Sequence, residues 1–170
     1  MTIRDVLPFG DPLLRKKARP VEGINSRIVK LLDDMIETLY SQNGAGLAAP
    51  QIAVLRRVIV MDCGEGLIEL INPEIVESTG EQLGLEACLS YPGFAGEVKR
   101  AQTVTVQALD RTGEPFILKG EGFVARCIQH EIDHLNGILF VDHVQAGFLY
   151  REDTRQEVNV FDVRRSTYGQ

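Results

Sequence analysis

The feature that most restricts how this chain can fold is His130-Glu131-Ile132-Asp133-His134, two imidazoles four positions apart with a carboxylate beside the first. Both rings can converge on one metal ion if the segment is helical, because residues four apart share a helix face. Residues 122–136 read as that helix, closed by Gly137. Arg126, Gln129, Asp133 and Asn136 recur at helical spacing as its polar stripe, and Glu131 points nearly opposite. Turning an ionised carboxylate away from water costs on the order of several kcal/mol unless something compensates it. A nearby metal with its water would do so, which makes Glu131 a functional candidate, whereas Asp133 is expected to be solvated. His143 has no partner at metal spacing and reads as an ordinary surface or hydrogen-bonded histidine.

Two histidines leave a hydrolytic metal short of the three protein ligands usual in an open catalytic site. Cys127 shares a side with His130, but at about 1.5 Å of rise per residue it lies about 7 Å along the axis from an ion between the histidines. It reads as a packed core thiol. Cys63 follows an apparent strand and has no special claim. Cys88 remains, in Glu86-Ala87-Cys88-Leu89-Ser90, with Pro92-Gly93 suggesting a loop or bulge that presents its sulfur. Two other closures stay open at this point. Glu152 is available as the third ligand of a zinc peptidase, although Phe140 stands where one peptidase class needs a third histidine. Alternatively, Cys88, Cys127, His130 and His134 would close a four-ligand structural zinc site in a non-catalytic module.

Elsewhere, the periodicity predicts an amphipathic helix over 26–42, ended at Asn43-Gly44 by the freedom of glycine to turn left-handed. The small residues of 44–49 allow close backbone approach. Strands are predicted at 57–61, 68–71, 74–77, 98–109 and 115–119, with a turn at 110–113, and the last twenty residues, with Val158, Val160 and Val163, suggest a final strand. The expected class is α+β: antiparallel sheets packed around a central metal-binding helix, with a second, N-terminal amphipathic helix. At 170 residues and 44% apolar content, one domain spanning 1–170 is expected, with 144–170 as a C-terminal extension.

A net charge of −6 gives no long-range pull on phosphate backbones, so sequence-specific nucleic-acid binding is not expected. Arg15, Lys16, Lys17 and Arg19 read as a solvated turn. Polar residues and prolines break up 1–14, and no apolar run approaches the roughly 20 residues that cross a bilayer. No membrane partner is expected. Three cysteines, an odd number, fit a reducing cytoplasm.

Three segments in order give a more specific reading: Gly44-Ala45-Gly46-Leu47-Ala48-Ala49-Pro50-Gln51, Glu86-Ala87-Cys88-Leu89-Ser90 and His130-Glu131-Ile132-Asp133-His134. In these the chain resembles the peptide deformylases, and the likeness covers roughly residues 7–143. It departs in having Ala87 where the family usually has glycine, with strain or crowding expected if that position needs a positive φ, and in lacking the long C-terminal helix of some members. The resemblance implies hydrolysis of the N-formyl group from the formylmethionine of nascent polypeptides. It implies that Cys88, His130 and His134 bind one divalent metal, Fe(II) in the cell with zinc, nickel or cobalt as substitutes, and that Glu131 is the general base. Gln51 and the Leu89 N–H would donate to the developing oxyanion. Gly46 would pair with the substrate backbone, and Phe123 and Cys127 would line the methionine pocket, although both also suit a core. Glu86 and Arg100 would pair behind the cysteine loop. A transient ribosome association is a further expectation.

Overall fold

A computed structural model of the protein describes residues 2–168. The first long helix, α1 (Ser26–Ser41), begins where the Asn25 side chain accepts hydrogen bonds from the Arg27 and Ile28 N–H groups. Its buried face carries Leu31, Leu32, Met35 and Leu39, as the periodicity requires. Asn43, not Gly44, takes the left-handed conformation that ends it, at φ 53°. A Cβ at Gly44 would lie 2.7 Å from the end of the Leu89 side chain, which would have to shift.

Two antiparallel sheets follow. The larger runs β1 (Gly46–Ala48), β2 (Val58–Asp62), β3 (Leu67–Thr79), β6 (Thr103–Leu109) and β7 (Pro115–Glu121), in that spatial order. The smaller runs β4 (Gln82–Cys88), β5 (Tyr91–Arg100) and β8 (Leu149–Arg151). Alternation along β2 explains the layering: Val58 and Val60 join the core under α1, while Ile59 and Met61 join the core under α2 (Phe123–Leu135). The histidine-bearing helix is thus wedged between the larger sheet and the β4–β5 hairpin, and the expected α+β class holds.

The sequence reading has no strand at β1, at β4 or over the first part of β5, and three further stretches also differ. Residues 68–71 and 74–77 belong to one strand, because Asn72, at φ 51°, is absorbed as a bulge whose side chain exchanges two 2.8 Å hydrogen bonds with the Val21 backbone. The predicted strand 98–109 is split between the two sheets. Gln129 satisfies the backbone at the break, accepting from the Ala101 N–H and donating to its carbonyl, each at 3.0 Å. In the tail, β8 is followed by α3 (Val160–Ser166), not by a strand. Val160 and Val163 are buried, three residues apart on one helical face.

In the basic cluster near the N-terminus Lys16, Lys17 and Arg19 are exposed, as expected, but Arg15 is not. The Arg15 guanidinium donates to both carboxylate oxygens of Asp142, at 2.6 and 2.9 Å, and to Thr167. No helix among the described residues is long and apolar enough to cross a membrane.

Candidate metal centre

Gly122 and Gly137, at φ 60° and 73°, bracket α2 and let the chain enter and leave it sharply. A Cβ on Gly137 would lie 2.5 Å from the Arg15 carbonyl oxygen. Between them His130 and His134 stack one turn apart, with ring centroids 5.1 Å apart. Cys88 arrives from the opposite side, at the end of β4, where a bulge after Glu86 puts it opposite Tyr91 across a tight turn. Its sulfur is 3.3 Å from His134 Nε2. The candidate ligand atoms of Cys88, His130 and His134 all lie within 4.8 Å of one another, and all three residues are buried.

These separations fit a shared ion. Metal–sulfur and metal–nitrogen bonds of about 2.3 and 2.0 Å at a tetrahedral angle place neighbouring ligand atoms about 3.5 Å apart. The electrostatics agree. Burial disfavours a proton on His130, yet the Cys88 sulfur and the carboxylates of Glu131 and Glu86 raise its pKa well above the usual imidazole value, so this spot attracts positive charge. His134 goes the other way, lowered by burial and by the cationic groups around it, which keeps its ring neutral.

Neither rival closure forms. Cys127 and Glu152 are outside the cluster that the described residues bring together. Cys127 is buried among Ala125, Ile128 and the strands of the larger sheet, as the axial distance predicts. Glu152 is exposed.

A network of charges orients the helix. Glu86 Oε1 accepts from His130 Nδ1 at 2.8 Å, which leaves Nε2 free of a proton for ligation. Arg100 grips the same carboxylate with two bonds of 2.7 and 2.8 Å, as the resemblance implies. Arg126 adds a third at 2.7 Å. Burial opposes ionisation of Glu86, but Arg100 and His130 hold it charged far below the ordinary carboxylate range. The polar stripe of α2 is therefore mostly consumed by packing. Arg126 is buried, and Asp133, expected in solvent, accepts from Arg100 at 2.6 Å and from His143 at 2.9 Å. Sequence reasoning missed this role of Arg126; its position four residues before His130 was the available signal.

Glu131 is buried, and burial pushes its pKa up to about 7. Its Oε1 has no hydrogen-bond partner among the described residues. Its Oε2 presses on Gly46, where a Cβ would come within 2.6 Å. The glycine at 46 thus makes room for the carboxylate. An unpartnered buried carboxylate beside three ligand atoms suits a water held in reach of a cation.

Gln51 is fixed in a 3-10 turn (Ala49–Ile52), its Oε1 accepting from the Ala48 N–H at 3.0 Å. Its amide nitrogen donates to Ser90 Oγ at 3.1 Å and faces the Cys88 sulfur at 3.6 Å. Composition and spacing alone made it an unremarkable turn residue, and Ser90 had no assigned part. Gly46, Gln51, Leu89, Phe123, Cys127 and Glu131 line a cavity of about 470 Å³. Phe123 is not a core residue: it is 56% exposed at the cavity. Ala87 has no positive φ, so the feared backbone strain does not arise.

The chain is similar to known proteins over most of its length. The family profile for polypeptide deformylase matches residues 3–147. The peptide deformylase of Caldanaerobacter subterraneus subsp. tengcongensis is 57% identical over 153 residues, 90% of this chain and 96% of that protein. That of Thermoanaerobacter sp. (strain X514) is 54% identical over 161 residues, covering 95% and 96%. A crystal structure of a peptide deformylase from Legionella pneumophila superposes with a TM-score of 0.84 at 44% identity, covering 98% of this chain and 94% of that one. A peptide deformylase from Synechococcus elongatus in complex with actinonin gives 0.82 at 41%, covering 85% and 80%.

Proposed function

The chain belongs to the polypeptide deformylase family, and from that premise we infer which of its residues carry the reaction. As a metal-dependent hydrolase, it removes the formyl group from nascent polypeptides. Cys88, His130 and His134 would hold the ion, and the observation that carries this assignment is the mutual approach of their ligand atoms. One thiolate and two imidazoles suit a first-row transition metal better than magnesium or calcium. We take it to be Fe(II) in the cell, replaceable by zinc, nickel or cobalt. When bound, such a cation acts as a Lewis acid that makes water more acidic and polarises a carbonyl.

Glu131 is the general base. Its buried carboxylate takes a proton from the attacking water and returns it to the departing amine, so that formate and a free amino terminus result. As negative charge grows on the formyl oxygen, the Gln51 amide and the Leu89 N–H donate to it, each worth about 2.7–4 kcal/mol at such a site. Ser90 and Ala48 hold the Gln51 amide in orientation. The substrate backbone is added as a strand in the cleft where β1 and β4, each the edge of its sheet, both border the cavity. Gly46 takes the β1 side of that pairing, and Phe123 and Cys127 line the methionine pocket.

The whole chain acts as one catalytic domain. Val144, Leu149, Val160 and Val163 pack in one core with Phe9, Leu14 and Phe140, which supports reading the described part of the 144–170 extension, to residue 168, as part of the same body. A cytoplasmic enzyme meeting its substrate through transient ribosome association fits this chemistry.

Metal analysis of protein purified without oxygen, combined with formate release from a formyl-Met peptide, tests the assignment. One transition-metal ion per chain and formate release are expected. A metal-free protein that still turns over would refute the ligand assignment.

A further inference from the structure

We propose that a groove lined by Arg19, Arg27 and Arg56 is a docking site for a partner protein, and that it takes a segment in which acidic and apolar residues are mixed. The groove shares no lining residue with the cavity at the metal centre, so its use is separate from the deformylase reaction.

The residues before α1, the first turns of α1 and the turn after Gln51 meet around a space of about 810 Å³. Arg19 and Arg56 are paired there by an isolated parallel bridge: the Arg19 N–H donates to the Leu55 carbonyl at 3.1 Å, and the Arg57 N–H to that of Arg19 at 3.0 Å. Both side chains border the groove, and like charges placed opposite one another repel. Arg27, exposed in the first turn of α1, adds a third guanidinium at the helix end where a cation is least favoured. Arg4 and Lys30 also border the space but are held by Asp34, at 2.7 and 3.1 Å. Arg19, Arg27 and Arg56 have no carboxylate partner among the described residues. The chain has 24 acidic residues against 18 Lys and Arg, so these guanidiniums are left uncompensated in spite of an excess of carboxylates. An arrangement that costs folding energy and has no partner within the chain points to an anionic partner outside it.

The rest of the lining favours a polypeptide over a nucleic acid. Pro20, Val21 and Val54 supply apolar surface, and no aromatic side chain is present to stack on a base. The one carboxylate of the lining, Glu22, can accept a backbone N–H from a peptide, which a phosphate backbone does not offer. The net charge of −6 also repels a polynucleotide at long range and leaves only the local field of the groove to attract anions. Carboxylates alternating with apolar side chains match both kinds of surface, since an arginine fork takes a carboxylate with two parallel bonds.

The test is fluorescence anisotropy of a labelled peptide, Asp-Leu-Glu-Val-Asp-Leu-Glu, on the metal-loaded full-length enzyme, beside the same peptide with Asn and Gln for its acids and a labelled oligouridylate. The acidic peptide should bind, less tightly as salt rises from about 0.1 to 1 M, and both controls should bind at least about tenfold more weakly. Combining Arg19→Glu with Arg56→Glu should cut the affinity for the acidic peptide about tenfold, and Arg27→Glu alone about threefold. Formate release from a formyl-Met peptide and the thermal midpoint should change little in either protein. Arg27→Glu puts an acid in the first turn of α1, which favours the helix, so weaker binding there is not a loss of folding. Oligouridylate bound as tightly as the acidic peptide, affinity unchanged in both variants, or no binding of the acidic peptide up to about 1 mM would overturn the proposal. Inhibition of formate release in step with peptide binding would also overturn it, by placing the peptide in the cavity at the metal.

Discussion

Glu86 Oε1 sits 2.8 Å from His130 Nδ1, so the strand that delivers the Cys88 sulfur also fixes the ring of a ligand on α2. Two residues apart on β4, both side chains point inward, and one strand position sets two parts of the metal site. Arg100 and Arg126 make the carboxylate the node between hairpin and helix. Groups that orient metal-binding imidazoles in this way typically change affinity about 10–100-fold when removed. Glu86→Gln should therefore weaken metal binding by about that factor, read by competition with a chromophoric chelator. An unchanged affinity would mean that His130 is oriented by packing alone.

Glu131 and Cys88 should separate chemistry from metal binding. Glu131→Gln keeps the size of the side chain but cannot accept a proton, and is expected to retain its metal while losing about 10²–10⁴ in kcat. Cys88→Ala should instead be purified with little or no metal. Residual turnover near the wild-type rate in the first variant, or full metal content in the second, would reverse the role assigned to that residue.

Gly46 leaves no room for a methyl group, because the added Cβ would meet Glu131 Oε2 at 2.6 Å and its Cδ at 3.0 Å. Gly46→Ala must displace the carboxylate, and a displacement of about 1 Å at a reacting group can cost about 10²-fold. The expected result is a large fall in kcat with metal content and thermal midpoint little changed. A variant with normal kcat would show that Glu131 has freedom that the packing does not suggest.

How much of this was legible in the sequence depended on the range of the interactions involved. The spacing of His130 and His134, the isolation of Glu131 from the polar stripe and the axial misfit of Cys127 are local helix geometry, and each was readable. Asp133 and Arg126 were misjudged because their partners, Arg100 and Glu86, lie on another element and follow no sequence period. The split between β5 and β6 was hidden for a similar reason. Alternation continues through Ala101, and side chains from other elements, Gln129 on α2 and Gln82 on β4, satisfy its backbone where the chain changes sheets. The tail read as a strand because Val158 and Val160 are two apart, whereas the helix is set by the Asn159 cap and the i, i+3 pair Val160 and Val163. Gln51 had no local signal at all, and only its place in a family segment brought it forward.

Asp34 gives a pH-dependent prediction remote from the metal. Its side chain is buried in α1 and accepts from the Thr2 N–H at 2.8 Å, from Arg4 at 2.7 and 3.0 Å and from Lys30 at 3.1 Å. Burial opposes its ionisation, but these donors prevail and hold it at about 2, below the usual 3.8. A carboxylate depressed on folding stabilises the native state fully above the unfolded value, and that contribution fades as pH falls through 3.8 toward 2. Asp34→Asn should thus lower stability at pH 7 by about 1–2 kcal/mol, a modest figure because Arg4 and Lys30 are partly exposed and can return to water. The difference in urea midpoint between wild type and variant should then narrow steadily below pH 4. A gap that stays constant from pH 7 to pH 3 would mean that the Asp34 cluster contributes through shape and not through charge.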